Sequence, residues 1–213
     1  MGASPDVNLW STPEHALDYL RRAGGLPHRS EAESTLLEFV PADAKRILDL
    51  GAGAGRLITL LRPQAPSAEF VALDFSPTML AELRKLVDSD PHVTVVAHDF
   101  DRKLPGLGRF EAVVSSFAIH HVTHGRKRAL YGEVFDMLEP GGIFCHLEHV
   151  ASPTGALHAN FLRAIGWADE DPSNKLLDLE TQLNWLREIG FTDVDCHWKW
   201  RELALFAGVK PRP

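Results

Sequence analysis

The chain has 213 residues, the size of one domain with at most a small elaboration, and its 45% hydrophobic and 24% charged residues exclude a disordered polymer. With 29 acidic against 22 basic residues the net charge is −7, which disfavours direct nucleic-acid binding through a basic surface covering the molecule. No apolar run approaches the roughly 20 residues of a membrane span, no charged-then-apolar leader opens the sequence, and two cysteines make no disulfide framework, so a cytoplasmic globular protein is expected, with homodimerisation left open.

Residues 1–11 read as a loose arm. Thr12-Pro13-Glu14 starts a helix, with Thr12 as N-cap and Pro13 in the first helical position, and helical spacing continues through Leu17 and Leu20 to a Gly24-Gly25 stop. A second helix is predicted from Ser30 to about Val40, burying Leu36, Leu37 and Val40. From Lys45 onward, strand runs at 46–51, 69–74, 93–99, 111–117 and 142–148 alternate with helical runs at about 56–62, 76–88, 123–138 and 155–165. That alternation specifies βαβ units and a parallel sheet covered on both faces. After a helix at about 180–189 come strand runs at 191–198 and 202–207. Their connection, Lys199 to Arg201, is short enough to require an antiparallel pair.

Asp49-Leu50-Gly51-Ala52-Gly53-Ala54-Gly55 closes the first strand and opens a helix. Glycines allow a sharp turn and let a ligand approach main-chain amides, and the helix N-terminus behind them favours a negative group. A purely structural turn would use the same residues. Asp74 ends the next strand, where a carboxylate can accept from ribose hydroxyls. Arg56 stands where a dinucleotide fingerprint has its last glycine, so NAD fits poorly and a nucleoside with a smaller charged tail fits well. Asp99 and Phe100 end the third strand, suited to an adenine amino group and ring unless Asp99 only caps a turn. Three ligand-type groups thus fall at successive strand C-termini, the edge where open α/β sheets bind ligands.

ILDLGAGAGR (47–56), VALDFSPTML (71–80), HDF (98–100), FEAVVSSFAIHHV (110–122) and LEPGGIF (138–144) make residues 30–207 resemble the class I S-adenosylmethionine (SAM) dependent methyltransferases. The resemblance implies an α/β, Rossmann-like, seven-stranded sheet of order 3-2-1-4-5-7-6, strand 7 antiparallel, with helices on both faces. Residues 1–40 would form a helical extension or lid, and residues 41–213 the SAM-binding domain, with a substrate-covering insertion at about 153–180. SAM is the implied cofactor and S-adenosylhomocysteine its product. Gly51, Ala52, Gly53 and Gly55 would lie against the methionine part, and Asp49 would reach its amino group through water. Asp74 would hold the ribose beside Phe75 and Met79, Asp99 and Phe100 would bracket adenine, and Ser116 would sit beside the cofactor. AIHHV…KRALYGEVF (118–135), PGGIFCHLEHVASPT (140–154) and Trp198-Lys199-Trp200 are similar to a narrower group. It includes carboxy-SAM synthases of tRNA wobble-uridine modification and some small-molecule methyltransferases. Methyl transfer to a small-molecule acceptor is the expectation; a carboxy-SAM-type or tRNA-modifying enzyme and a non-catalytic SAM-binding protein are the alternatives.

Methyl transfer from a sulfonium is an in-line displacement, for which a protein chiefly supplies proximity and orientation. A base is needed only where the acceptor carries a proton of high pKa. His120, His121, His124, His146, His149, His158 and Glu148 cluster after strands four and five. Among them His120, His121, Glu148 and His149 are the catalytic candidates. His121 and Glu148 form the preferred pair, because a carboxylate can fix an imidazole tautomer. His146 and Glu148 share a strand face. Packing and capping histidines are the plain alternative, and no metal is expected, since no fixed ligand spacing such as H-E-x-x-H occurs. In Gly166–Asp178, Asp169, Glu170 and Asp171 could draw a cationic amine or simply belong to a solvated loop. One or two of Trp167, Trp185, Trp198 and Trp200 could wall a substrate pocket. Cys145 and Cys196 are expected as buried thiols on strands that the seventh strand separates.

Overall fold

The computed structural model describes residue 10 and residues 12–213; of the N-terminal arm only Trp10 is among them, and the rest of that expectation lies outside the described residues. Two helices, α1 (Pro13–Ala23) and α2 (Arg29–Phe39), precede the alternating segment. There follow β1 (Arg46–Leu50), α3 (Arg56–Leu61), β2 (Glu69–Asp74), α4 (Pro77–Val87), β3 (Val93–Ala97), β4 (Phe110–Ser116), α5 (His124–Met137), β5 (Leu138–His149), α6 (Gly155–Ile165), α7 (Leu179–Ile189), β6 (Thr192–Trp200) and β7 (Leu203–Val209). They build one seven-stranded sheet of order β3-β2-β1-β4-β5-β7-β6, in which β7 runs antiparallel to β5 and β6, as the sequence motifs imply.

Successive strand residues serve opposite faces of the sheet. Ile47, Ala72, Val114 and Leu205 pack with Leu36 of α2, Leu57 and Leu61 of α3 and Phe161 of α6. Leu48, Leu73, Val113, Phe144 and Phe206 pack with Leu130 and Val134 of α5 and Leu183 and Leu186 of α7. Burial on both faces is why the central strands read as unbroken apolar runs.

The parallel pairing aligns Leu50 with Leu73 on one side and Ser115 on the other, so β1, β2 and β4 end at a common edge. Phe117 (φ 53) turns the chain out of β4 into a single 3₁₀ turn, Ile119–His121, bringing His120 and His121 over that edge. β5 is longer than predicted, because Gly141 (φ 86) and Gly142 exchange backbone hydrogen bonds with Lys210 beyond β7. Cys145 pairs in register with Ala207 and Cys196 with Phe206, so β7 keeps the two free thiols apart. Cys145 is fully buried, and burial pushes its thiol up to about 12. Cys196, expected to be buried, is only half-buried because β6 is the sheet edge, with nothing pairing on its outer side.

Candidate active site

A cleft of about 130 Å³ runs along the sheet edge, lined by Asp49, Gly51, Ala52, Gly53, Asp74, Phe75, Met79, Asp99, Phe100 and Ser116. The glycine loop is shaped by main-chain bonds: the Gly51 and Ala52 amides both donate to the Leu73 carbonyl at 2.9 Å. Gly51 sits at φ 75, and a Cβ there would come within 2.1 Å of the Ala118 Cβ, so this position tolerates no side chain. Gly53 donates its amide to Asp74 Oδ2 at 2.9 Å, and Ser76 donates to Oδ1 at 2.8 Å, which ties the loop to the end of β2. Burial nonetheless raises the Asp74 carboxyl above its usual range. Asp49 is 1% exposed, and neither carboxylate oxygen has a hydrogen-bond partner. Burial, and then the Asp74 charge, push its pKa up to about 8. The Ser116 hydroxyl is likewise buried without a partner. Asp99 Oδ1 accepts from the Asp101 amide at 2.9 Å, so it shapes its own turn while bordering the cleft. Gly55 is a correction: it does not line the cleft. A Cβ there would point at Leu83 and Leu86 of α4, 2.8 and 2.6 Å away, so this glycine serves helix packing.

Trp10, Tyr19, Arg29, Phe117 and His121 wall both this cleft and a neighbouring cavity of about 720 Å³. That volume is ordinary for a small-molecule site. The cavity also borders His120, His149, Phe161, Trp167, Asp169, Glu170 and Asp171. Residues 166–178 therefore form a wall, with Asp171 paired to His15 at 3.3 Å, and are not a free solvated loop.

The expected His121–Glu148 pair is not formed. Glu148 accepts from His120 Nδ1 at 2.5 Å, lies 2.9 Å from His146 Nε2, and borders neither cavity. Behind it, the Tyr131 hydroxyl donates to Gln182 Oε1 at 2.6 Å, so it must accept from His146 Nδ1, 3.2 Å away. Burial holds the His146 imidazole below its usual pKa; at Glu148 burial opposes ionisation, yet the His120 and His146 rings hold the carboxyl well below the usual carboxylate range. The physical reason for the changed partner is register: the 3₁₀ turn points consecutive His120 and His121 rings to different surroundings.

His121 takes a different orienter. Ser173 Oγ donates to Asp171 Oδ1 at 2.7 Å, so toward His121 Nδ1, at 3.1 Å, it can only accept. Burial, and then His120 beside it, hold the imidazole well below its usual pKa, so it is neutral at pH 7. Nδ1 carries the proton and Nε2 carries a lone pair. That Nε2 is buried, has no hydrogen-bond partner, and belongs to the residue that borders both cavities.

Sequence reasoning missed Arg29, Glu33 and Ser173. Glu33, 2% exposed, binds Arg29 Nε at 2.7 Å and both Arg56 Nε and Nη2 at 2.6 Å. Arg56 therefore anchors α2 to the glycine loop, a second use for the residue that disfavours a dinucleotide. The Arg29–Glu33 pair lies within one helix, but no local motif marks the Glu33–Arg56 contact, which joins α2 to the start of α3.

Residues 47–142 match the model of a methyltransferase domain family. The chain is 36% identical over 129 residues to the demethylmenaquinone methyltransferase of Thermus thermophilus, covering 60% of this chain and 56% of that protein. It is 30% identical over 198 residues to the demethylmenaquinone methyltransferase of Clavibacter sepedonicus, covering 84% and 78%. To the carboxy-S-adenosyl-L-methionine synthase of Geobacter metallireducens it is 29% identical over 146 residues, covering 63% and 60%. The chain thus spans less than two thirds of the Thermus and Geobacter proteins it matches.

Proposed function

Because the chain belongs to the class I SAM-dependent methyltransferases, we propose that it transfers the SAM methyl group to a small-molecule acceptor held in the 720 Å³ cavity. The residues present suit the cofactor. The unpartnered Asp49 carboxylate matches a cationic amino group, Arg29 and Arg56 suit a carboxylate, and the unpartnered Ser116 hydroxyl awaits a polar neighbour. Asp74 would hold the ribose, and Phe75, Met79, Asp99 and Phe100, which line the same cleft, would accommodate the nucleoside. When bound, SAM supplies an electrophilic methyl group on a sulfonium.

The observation that carries the reading is His121 Nε2, a neutral, unpartnered lone pair on the wall common to cleft and cavity. It takes the acceptor's proton as the acceptor attacks, while Ser173 and Asp171 hold the ring in the required tautomer. Glu148 is a positioning residue that orients His120, and His120 and His149 shape the acceptor wall. Helix α1 and Trp10 act as a lid, since Trp10 and Tyr19 border both spaces. The free thiols of Cys145 and Cys196 support a reducing, cytoplasmic setting.

The test is calorimetric titration with SAM and S-adenosylhomocysteine, followed by a screen of amines, phenols, carboxylates and thiols for homocysteine-product release. Failure to bind either nucleoside would defeat the proposal. The match to a carboxy-SAM synthase favours a second reading, in which purified protein carries a carboxylated sulfonium detectable by mass spectrometry. Binding without turnover of any acceptor would favour a non-catalytic role.

A further inference from the structure

At the side of the cavity away from the glycine loop, where His149 and Glu170 line it, four side chains from four separate segments converge. They are His149 at the end of β5, His158 on α6, Glu170 in the covering segment and Glu202 in the β6–β7 turn. One donor atom from each of His149, Glu170 and Glu202 lies within 4.8 Å of the other two. His149 Nε2 is 2.9 Å from Glu202 Oε2, and His158 reaches Glu202 at 3.1 Å and Glu170 Oε2 at 3.3 Å. From this arrangement we propose that His149, His158, Glu170 and Glu202 form a binding site for a divalent transition-metal ion.

Three features favour a metal over a plain ion-pair cluster. First, each carboxylate is held by one oxygen and presents the other. Glu202 Oε1 accepts from Ser152, while Glu170 Oε1 accepts from the Asp171 amide and from Asn174. Outer-shell bonds of this kind orient ligating carboxylates. Second, Glu170 Oε2 is buried without a hydrogen-bond partner, although it faces the cluster. Third, Glu202 is 1% and His149 6% exposed, so one carboxylate is buried against an imidazole while Glu170 stays partly exposed beside them. A divalent ion would neutralise both carboxylates. Two imidazoles with two carboxylates suit zinc, manganese or ferrous iron; for bond lengths of about 2.0–2.2 Å, His149 Nε2 and Glu202 Oε2, 2.9 Å apart, already stand at the separation of neighbouring ligands, and Glu170 has to close on them from within 4.8 Å. Because His149 and Glu170 border the cavity, the ion would sit where it can take an oxygen atom of a bound small molecule.

The site stands independently of the methyl-transfer reading, and so does its test. Untagged protein is stripped with a chelator and titrated calorimetrically with Zn²⁺ and with Mn²⁺. The expected result is one ion per chain for at least one of them. Glu202→Gln should abolish that binding. Ser152→Ala leaves all four ligands in place and should weaken it about 10–100-fold. His92→Gln, at an exposed histidine before β3 at the far edge of the sheet, should leave it unchanged. Absence of stoichiometric binding to folded wild-type protein overturns the proposal. So does binding that survives Glu202→Gln, or, should that variant not fold, binding that survives both Ser152→Ala and Glu170→Gln at full strength.

Discussion

Asp49 is protonated at neutral pH while no cation faces it, because burial and the neighbouring Asp74 raise its pKa from 3.8 to about 8. A folded-state pKa above the unfolded one contributes stability that is complete at low pH and is lost as pH rises through the folded value. Ligand-free Asp49→Asn should therefore gain on wild type progressively from about pH 4 to about pH 8, and thermal melts across that range test it. Parallel curves would refute the assignment. The same variant should bind SAM more weakly by one to a few kcal/mol, as should Asp74→Ala, since each loses a charge-assisted hydrogen bond. His121 shifts the other way, its imidazole held well below 6.5, so the acid limb of kcat should appear only below that pH. His121→Asn should lower kcat by roughly 10²–10⁴ with SAM affinity nearly unchanged. A variant that keeps full turnover would show that the acceptor needs no base.

Two elements cover the site, and each carries its own expectation. The segment 166–178 sets the His121 tautomer through Ser173, so Ser173→Ala should cost about 0.5–1.5 kcal/mol of transition-state stabilisation, roughly tenfold in kcat at most. An unaltered kcat would mean that Ser173 does not set the ring. Helix α1 bears Tyr19, and with Trp10 it narrows the cofactor cleft to about 130 Å³, below the ~300 Å³ at which ligand pockets begin. On the proposed reading, cofactor entry shifts this helix. Hydrogen exchange in residues 13–23 should change when S-adenosylhomocysteine is added, while α5, on the other side of the sheet, should not respond. The spacing of Leu17 and Leu20 identified α1 as a helix, but nothing local to it pointed to the cleft.

At the scale of the molecule, one sheet carries both the core and the site edge, so a core lesion should unfold everything together. Phe206 of β7 is fully buried between β5 and β6 and packs on the His146 ring at 4.8 Å. Phe206→Ala should cost about 3–5 kcal/mol in urea unfolding, and a loss below 1 kcal/mol would contradict the packing described. The order of strands and helices was legible in the sequence because doubly covered strands are apolar throughout and helices are not, a property of each segment by itself. The cofactor edge was legible for a related reason: Asp49 and Asp74 lie at the C-terminal ends of β1 and β2 and Asp99 just past β3, and parallel register brings strand ends together. Only the tertiary structure decided the acceptor side. Glu148 chose His120 over His121, Gly55 turned to α4, and Ser173, Arg29 and Glu33 entered from segments with no motif. The absence of ligand spacing argued against a metal, yet His149, His158, Glu170 and Glu202 meet across four segments. Such contacts depend on side-chain direction and on how loops cross the sheet edge, which neither hydrophobic periodicity nor local spacing encodes.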